Sequence, residues 1–363
     1  MKKLKHNIVF VITMIILILF SSLSYLRTPI AYSNVENRKL TTSITFNETL
    51  ATNLNTYSND QFYFRDDFMR MKANLQYMLG QRLMNGVYIG KDGYLFQEGK
   101  KLSVDQKYEL SKAINYFTKK HKVKTNMILI ADRINLLSNL LEDYMITCDS
   151  FNDISNLMVE LKQVKYIDVN EALLNQSDAF YKSDHHYTTK GAYLCFQTYF
   201  KQLLKGEKVY EYDIYPYTNQ FEGTLSNQSG YRKAFDQVDL YIEKDANVKY
   251  IVSIDEEESS SIYYEDPTNA YEVFFNGNHP LVKIDTTVNN DKHLLIIKDS
   301  FANAFVPFLI PYYHKITMID PRYYFDNIYE YMKEQEVYEL LFLYSTQTLF
   351  TDTSLIELLL NAA

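Results

Sequence analysis

The sequence predicts an α/β fold, a mostly parallel sheet flanked by helices, preceded by a transmembrane helix. Helix-like and strand-like segments alternate through two stretches of the 363 residues, before about 208 and after about 290. The strands of both stretches are short continuous apolar runs (MILIA, LLIIK, LLFLY), as expected of strands buried on both faces. Three lysines followed by nineteen uncharged, mainly apolar residues open the chain.

That opening is the first element. Lys2, Lys3 and Lys5 precede Ile8–Leu26, a run close to the length of a bilayer core. A basic flank before an apolar span keeps the N-terminus cytoplasmic and exports the body. A cleaved signal peptide is the rival reading. Its apolar region is usually shorter and ends in small residues, whereas Tyr25, Leu26, Arg27 and Pro29 stand here, so 1–26 reads as an uncleaved anchor. Residues 27–45 are polar without an apolar period and read as a stalk.

The segment 46–363 reads as the folded body. Residues 46–83 carry Leu50, Leu54, Phe62, Phe68, Met71, Leu75 and Met78 mostly at three- and four-residue steps, a helical period. Residues 85–96 (NGVYIGKDGYLF) form a hairpin signal. Gly86, Gly90 and Gly93 are not a phosphate loop, since no helix opens after them and an aspartate stands among them. Helix 102–120, strand 123–131, helix 152–163 and strand 164–169 follow, then a helix over 189–204 capped by Thr188. An irregular, β-rich insertion spans about 208–290, with an acidic run at 255–261 that reads as a solvated loop. Strand 293–298, helix 301–310, strand 315–319, helix 325–335, strand 337–344 and helix 353–361 complete the chain.

The formal charge is −8, and −11 once the three leading lysines are set aside. An acidic body repels phosphate backbones, so nucleic acid is not the expected partner. Tyr and Phe number 33 and 22 with no Trp, a bias more compositional than functional. Cys148 and Cys195 suit one disulfide in an exported protein, or a buried free thiol at Cys195.

Only seven histidines are present, two of them adjacent in YKSDHHYTTKGAYLCF at 181–196. Metal ligation needs three or more groups converging, yet no H-x-x-x-H or C-x-x-C occurs and the other histidines are isolated. No metal or cofactor is therefore expected. The letters DHH also head a phosphoesterase family, whose further aspartate and glycine-histidine motifs are missing. Acyl transfer needs a nucleophile on a sharp strand-to-helix turn. LLIIKDSFANAF at 294–305 supplies one: an apolar strand, a Lys298–Asp299 turn and Ser300 at a helix start. Ser300 alone would read as a helix cap; with Asp184 and His186 at strand ends of the same fold it becomes a candidate nucleophile. His186 is preferred to His185 because an i, i+2 spacing lets Asp184 turn back onto the ring.

These blocks, with QFYFRDDF at 61–68, VYIGKDGYLF at 87–96, FEGTLSNQSGY at 221–231, FFNGNHP at 274–280 and IDPRYY at 319–324, resemble the bacterial DHHY family. That family is similar to the SGNH-like domains of alginate-type polysaccharide O-acetyltransferases, with circularly permuted motif order. The resemblance implies Ser300 as nucleophile, His186 as general base and Asp184 as its orienting carboxylate. It also implies an anchored extracytoplasmic enzyme in a bacterial envelope that acylates a cell-surface polysaccharide, beside a membrane-bound O-acyltransferase. A carbohydrate esterase with the same triad, or a non-catalytic glycan-binding scaffold, are the alternatives. Two departures stand out. Lys298 replaces the glycine of G-D-S, and Tyr344-Ser345-Thr346 stands where a later asparagine belongs. The oxyanion donors are then expected from the N–H groups of Ser300 and Phe301, with Asn276, Asn278 or Ser345, while Tyr187, Arg322 and Tyr344 are substrate-side candidates.

Overall fold

The computed structural model describes residues 2–33, 38–46, 49–99, 103–143, 145, 147–245 and 247–361. Its main sheet has eight strands: β1 Lys124–Ile130, β2 Val164–Tyr166, β3 Tyr250–Ile254, β4 Glu257–Ser259, β5 Leu281–Thr286, β6 His293–Lys298, β7 Lys315–Ile319 and β8 Glu339–Ser345. Their order is β4-β3-β5-β7-β6-β8-β1-β2. The five strands β7, β6, β8, β1 and β2 are parallel, and β5, β3 and β4 extend them antiparallel.

Burial explains the division. Every residue of β6 and β8 is buried, which suits continuous apolar runs between helical layers. β5 instead alternates buried and less buried positions, the pattern of a strand with one wetter face. Part of the β-rich region therefore completes the main sheet. The remainder forms a separate ribbon, Tyr212–Phe221 against Asp236–Glu243, with the short helix Thr224–Ser229 between its strands. The helix Val104–His121, opened by a Ser103/Gln106 capping box, packs on Ser354–Asn361. Thr189–Leu203, capped by Thr188 Oγ1, packs on Ala302–Phe305.

Residues 46–83 are not one helix packed on the core. Leu50–Gln61 ends at Phe62, whose ψ of 131° leaves the helix, and Arg65–Met78 starts after Phe64, which is left-handed (φ 47°). Leu54, Phe68, Met71, Leu75 and Met78 lie exposed, so their helical period marks a surface stripe. Within 27–45, residues 34–37 lie outside the described set. The rest docks on helix Leu50–Gln61: Gln61 bonds both backbone groups of Ile30 and the carbonyl of Thr41, and Asp60 accepts from the Thr41 N–H. Lys2–Leu26 is a single helix; among the residues whose side chains are described, which leave out residues 2–7, 9 and 17 of this helix, no helix is long and apolar enough to cross a membrane. Cys148 and Cys195 are not bridged to each other. Cys195 is buried, and Cys148 sits 3.1 Å from Asp132 Oδ2.

Candidate active site

Parallel register brings the carboxyl ends of β6, β8 and β1 together, pairing Lys298 with Leu343 and Ser345 with Ile130. The chain leaving β6 turns at Asp299, and Ser300 begins the turn into Ala302–Phe305. Asp299 holds this turn from within. Its Oδ1 accepts from the Phe301 N–H (3.0 Å), and its Oδ2 accepts from the Ser345 N–H and hydroxyl (2.8 and 2.7 Å). Tyr187 adds a brace from outside, its hydroxyl donating to the Phe301 carbonyl.

The Asp184–His186 loop has no strand beneath it. Asp236 reaches from the ribbon to accept from the N–H groups of Lys182 and Ser183 and from the Ser183 hydroxyl. Buried Arg133 donates to the carbonyls of Tyr181 and Asp184. Thr224 gives both its N–H and hydroxyl to Asp184 Oδ2, at 2.8 and 2.9 Å. This approach demands a glycine one residue earlier, since a Cβ on Gly223 would lie 2.3 Å from that of Asp184.

Within this frame Asp184 Oδ1 lies 2.6 Å from His186 Nδ1, and His186 Nε2 lies 2.7 Å from Ser300 Oγ. The carboxylate fixes the tautomer: Nδ1–H donates to Asp184, leaving Nε2 to accept the Ser300 proton. Burial pushes the Asp184 carboxyl up, but the two imidazoles and the bonds from His186 and Thr224 outweigh it and hold it well below the usual range. Burial, then the neighbouring His186 ring, hold His185 far below its ordinary value, so it is neutral at pH 7. Tyr271 stacks on the His186 ring (3.8 Å between centroids, 12° between planes) while its hydroxyl donates to the Ser300 carbonyl. The pair is thus locked in both rotation and height.

Asp184, His186 and Ser300 open onto a cleft of about 530 Å³, also lined by Asn278, Asn303, Arg322 and Tyr323. Asp184 is 1% exposed and Ser300 9%, so the triad is most open at its hydroxyl end. Lys298 explains the departure at the glycine position. Its buried ammonium donates to Asn278 Oδ1 (3.0 Å) and Asn303 Oδ1 (2.7 Å) and pairs with Asp320 at 3.8 Å. Burial pulls its pKa down to about 8. Lys298 engages the Asn278 oxygen, which leaves the amide N–H₂ of this cleft-lining residue as its group able to donate. Phe275, Asn276 and Gly277, all with positive φ, carry Asn278 there on a strained loop. Arg322 is held by two bonds to Asp320 (2.8 and 2.6 Å), with the rest of its guanidinium at the cleft wall.

Several expected residues sit elsewhere. The Phe301 N–H and the Ser345 hydroxyl are consumed by Asp299 and are not oxyanion donors. Asn276 is exposed and does not line the cleft. Tyr187 and Tyr344 are buried away from it, the latter with no hydroxyl partner among the described residues. The Ser300 N–H, which no described group accepts, remains as a backbone donor beside Asn278 and Arg322. Asp184, His185 and His186 also place possible metal-ligand atoms within 4.8 Å of one another. Both Asp184 oxygens and both His186 ring nitrogens are already bonded, so an ion would have to break the triad.

No protein-family model and no curated protein matches the chain. Solved structures do. A DHHW family protein from Eubacterium siraeum superposes with TM-score 0.64 and 23% identity, over 75% of this chain and 95% of that one. Bacillus cereus PatB1, solved with a sulfonyl adduct, gives 0.61 and 22%, over 74% and 96%. The O-acetyltransferase domain of Pseudomonas putida AlgJ superposes more loosely, at 0.47 and 14%, over 77% and 99%. The chain shares the fold of the first two.

Proposed function

We propose that the chain is an O-acyltransferase of a bacterial envelope, anchored by Lys2–Leu26 with its body extracytoplasmic, that acylates a cell-surface polysaccharide. One observation carries this reading: the unbroken Ser300–His186–Asp184 bond chain, at 2.7 and 2.6 Å, with its hydroxyl end at a polar cleft. The acyl group, O-acetyl by resemblance, would come through a membrane-bound O-acyltransferase.

His186 Nε2 takes the Ser300 proton as Oγ bonds the acyl carbon. The donor's oxygen leaves with that proton, and an acyl-serine remains. A sugar hydroxyl then attacks the acyl carbon, His186 takes its proton, and the proton returns to Ser300 as the bond breaks. Asp184 stays ionised and steadies the imidazolium. The Ser300 N–H, Asn278 and Arg322 are the donors proposed for the oxyanion. Tyr323, about half exposed at the cleft wall, offers a ring face to a sugar.

The test is turnover of a chromogenic acetyl ester by the purified chain, with and without an oligosaccharide acceptor. A transferase gives acetylated oligosaccharide and acceptor-dependent turnover. Full turnover without acceptor means transfer to water, an esterase; no turnover and no acyl-serine leaves a binding protein.

A further inference from the structure

Beyond its first turn, helix Arg65–Met78 presents an apolar stripe that nothing described covers. Phe64, Phe68, Met71, Leu75, Met78 and Leu79 fall within about 100° of one face at 100° per residue. Met71, Leu75, Met78 and Leu79 are 60%, 57%, 80% and 77% exposed. The opposite face is committed to the body: Ala73 is buried in a small core with Met84, Val87, Leu95, Leu225 and Tyr231. The side chains that should be inside on period alone are therefore outside, in one strip.

The first turn of the stripe touches the N-terminal helix. Phe20 packs against Phe62, Phe64 and Phe68, with ring centroids 6.4, 5.6 and 6.3 Å away, and Ser24 Oγ accepts from the Tyr63 N–H at 2.8 Å. Phe20 lies six residues before the end of Lys2–Leu26, about 9 Å along the axis at 1.5 Å per residue. If that helix spans the bilayer, groups in contact with Phe20 share its depth. Interfacial helices bury their apolar face by about 5–10 Å, the same figure. Tyr25, and Arg27 over the Tyr63 ring, would stand at headgroup level.

We propose that Arg65–Met78 is an in-plane interfacial helix, lying in the outer leaflet of the membrane that holds the N-terminal helix. This rests on the anchored reading proposed above. Its consequence is positional. Leu225, in the core beneath the stripe, belongs to Thr224–Ser229, whose first residue binds Asp184, and Tyr32 of the docked segment lines the cleft. The cleft is thereby held at a set height beside the bilayer, where an acyl donor delivered through the membrane emerges.

The chain has no Trp, so single-Trp variants of the full chain report depth without background. Leu75→Trp and Met78→Trp would be reconstituted in phosphatidylcholine–phosphatidylglycerol vesicles containing brominated lipid. Leu19→Trp serves as the anchor reference, and Val159→Trp, exposed on the helix Ser150–Glu160, as the water reference. The expected result is at least twofold quenching for Leu75→Trp, Met78→Trp and Leu19→Trp, with Val159→Trp unquenched. Quenching of Leu19→Trp alone overturns the interfacial helix and leaves the anchor standing. Lack of quenching at Leu19→Trp removes the anchor and the proposal with it. Stripe tryptophans shielded from aqueous iodide yet unquenched by bromolipid mean a protein covers the stripe, which also overturns the proposal.

Discussion

The two halves of the site are built by different means. The Ser300 turn grows from the centre of a parallel sheet, and the carboxylate of its own neighbour, Asp299, ties it to the next strand. The Asp184–His186 loop lies on no strand and is clamped by Arg133, Gly223, Thr224 and Asp236, from two distant segments. A nucleophile on a turn tied to two strands is expected to tolerate loss of a single contact better than a base held by converging side chains.

The sharpest comparison removes one reacting group from each half. Ser300→Ala and His186→Ala should each lower kcat by roughly a thousandfold or more, with the double variant little worse, because the two act as a unit. Additive losses in steady-state kinetics would mean that they do not share a step.

Next come the supports. Gly223→Ala forces a methyl group into Asp184, and a displacement of about 1 Å at the base costs around a hundredfold in kcat. Overpacking should lower stability by only about 1–3 kcal/mol, so thermal melting separates misplacement from unfolding. Unchanged kcat would show that the loop is not under the tension its clamps imply.

Lys298 tests the junction of the two halves. With its pKa pulled down to about 8, the ammonium is charged at neutral pH and discharges as pH rises through that value. kcat/KM should therefore decline above pH about 8, and Lys298→Met should abolish that limb while lowering the plateau about tenfold. Linkage gives the opposite sign for stability. From about pH 8 to the ordinary lysine value near 10.4 the unfolded chain binds more protons, so the fold gains stability as pH rises. A profile flat to pH 9 would remove Lys298 from the electrostatics of the cleft.

The smallest effect is expected at Tyr271. Tyr271→Phe keeps the ring against His186 but loses the bond to the Ser300 carbonyl, worth about 1 kcal/mol, so kcat should fall only a few-fold. A drop as large as that of Gly223→Ala would move Tyr271 from brace to participant.

The same contrast separates what can be read from sequence from what cannot. Strands β1, β6 and β8 are legible because burial on both faces leaves continuous apolar runs within them, and the turn after LLIIK follows from them. Asp184 and His186 are legible as letters. Their clamps are not, because Asp236 and Arg133 are ordinary charged residues whose partners lie about 50 positions away. Gly223-Thr224 does stand inside the FEGTLSNQSGY block, the one local signal of that support. At the nucleophile, Asp299 reads in sequence as a turn residue, yet its carboxylate takes the Phe301 and Ser345 donors expected to face the oxyanion. Residues 46–83 show a true helical period whose apolar face points outward, since periodicity reports a face but not its partner.

Chemical trapping of the nucleophile tests the central claim most directly. The purified chain would be treated with a sulfonyl fluoride, and its intact mass and peptide map measured. Ser300 should carry a single sulfonyl group, with labelling lost in Ser300→Ala and slowed at least tenfold in His186→Ala. No label, or equal labelling of the wild-type and His186→Ala chains, would contradict a serine activated by His186.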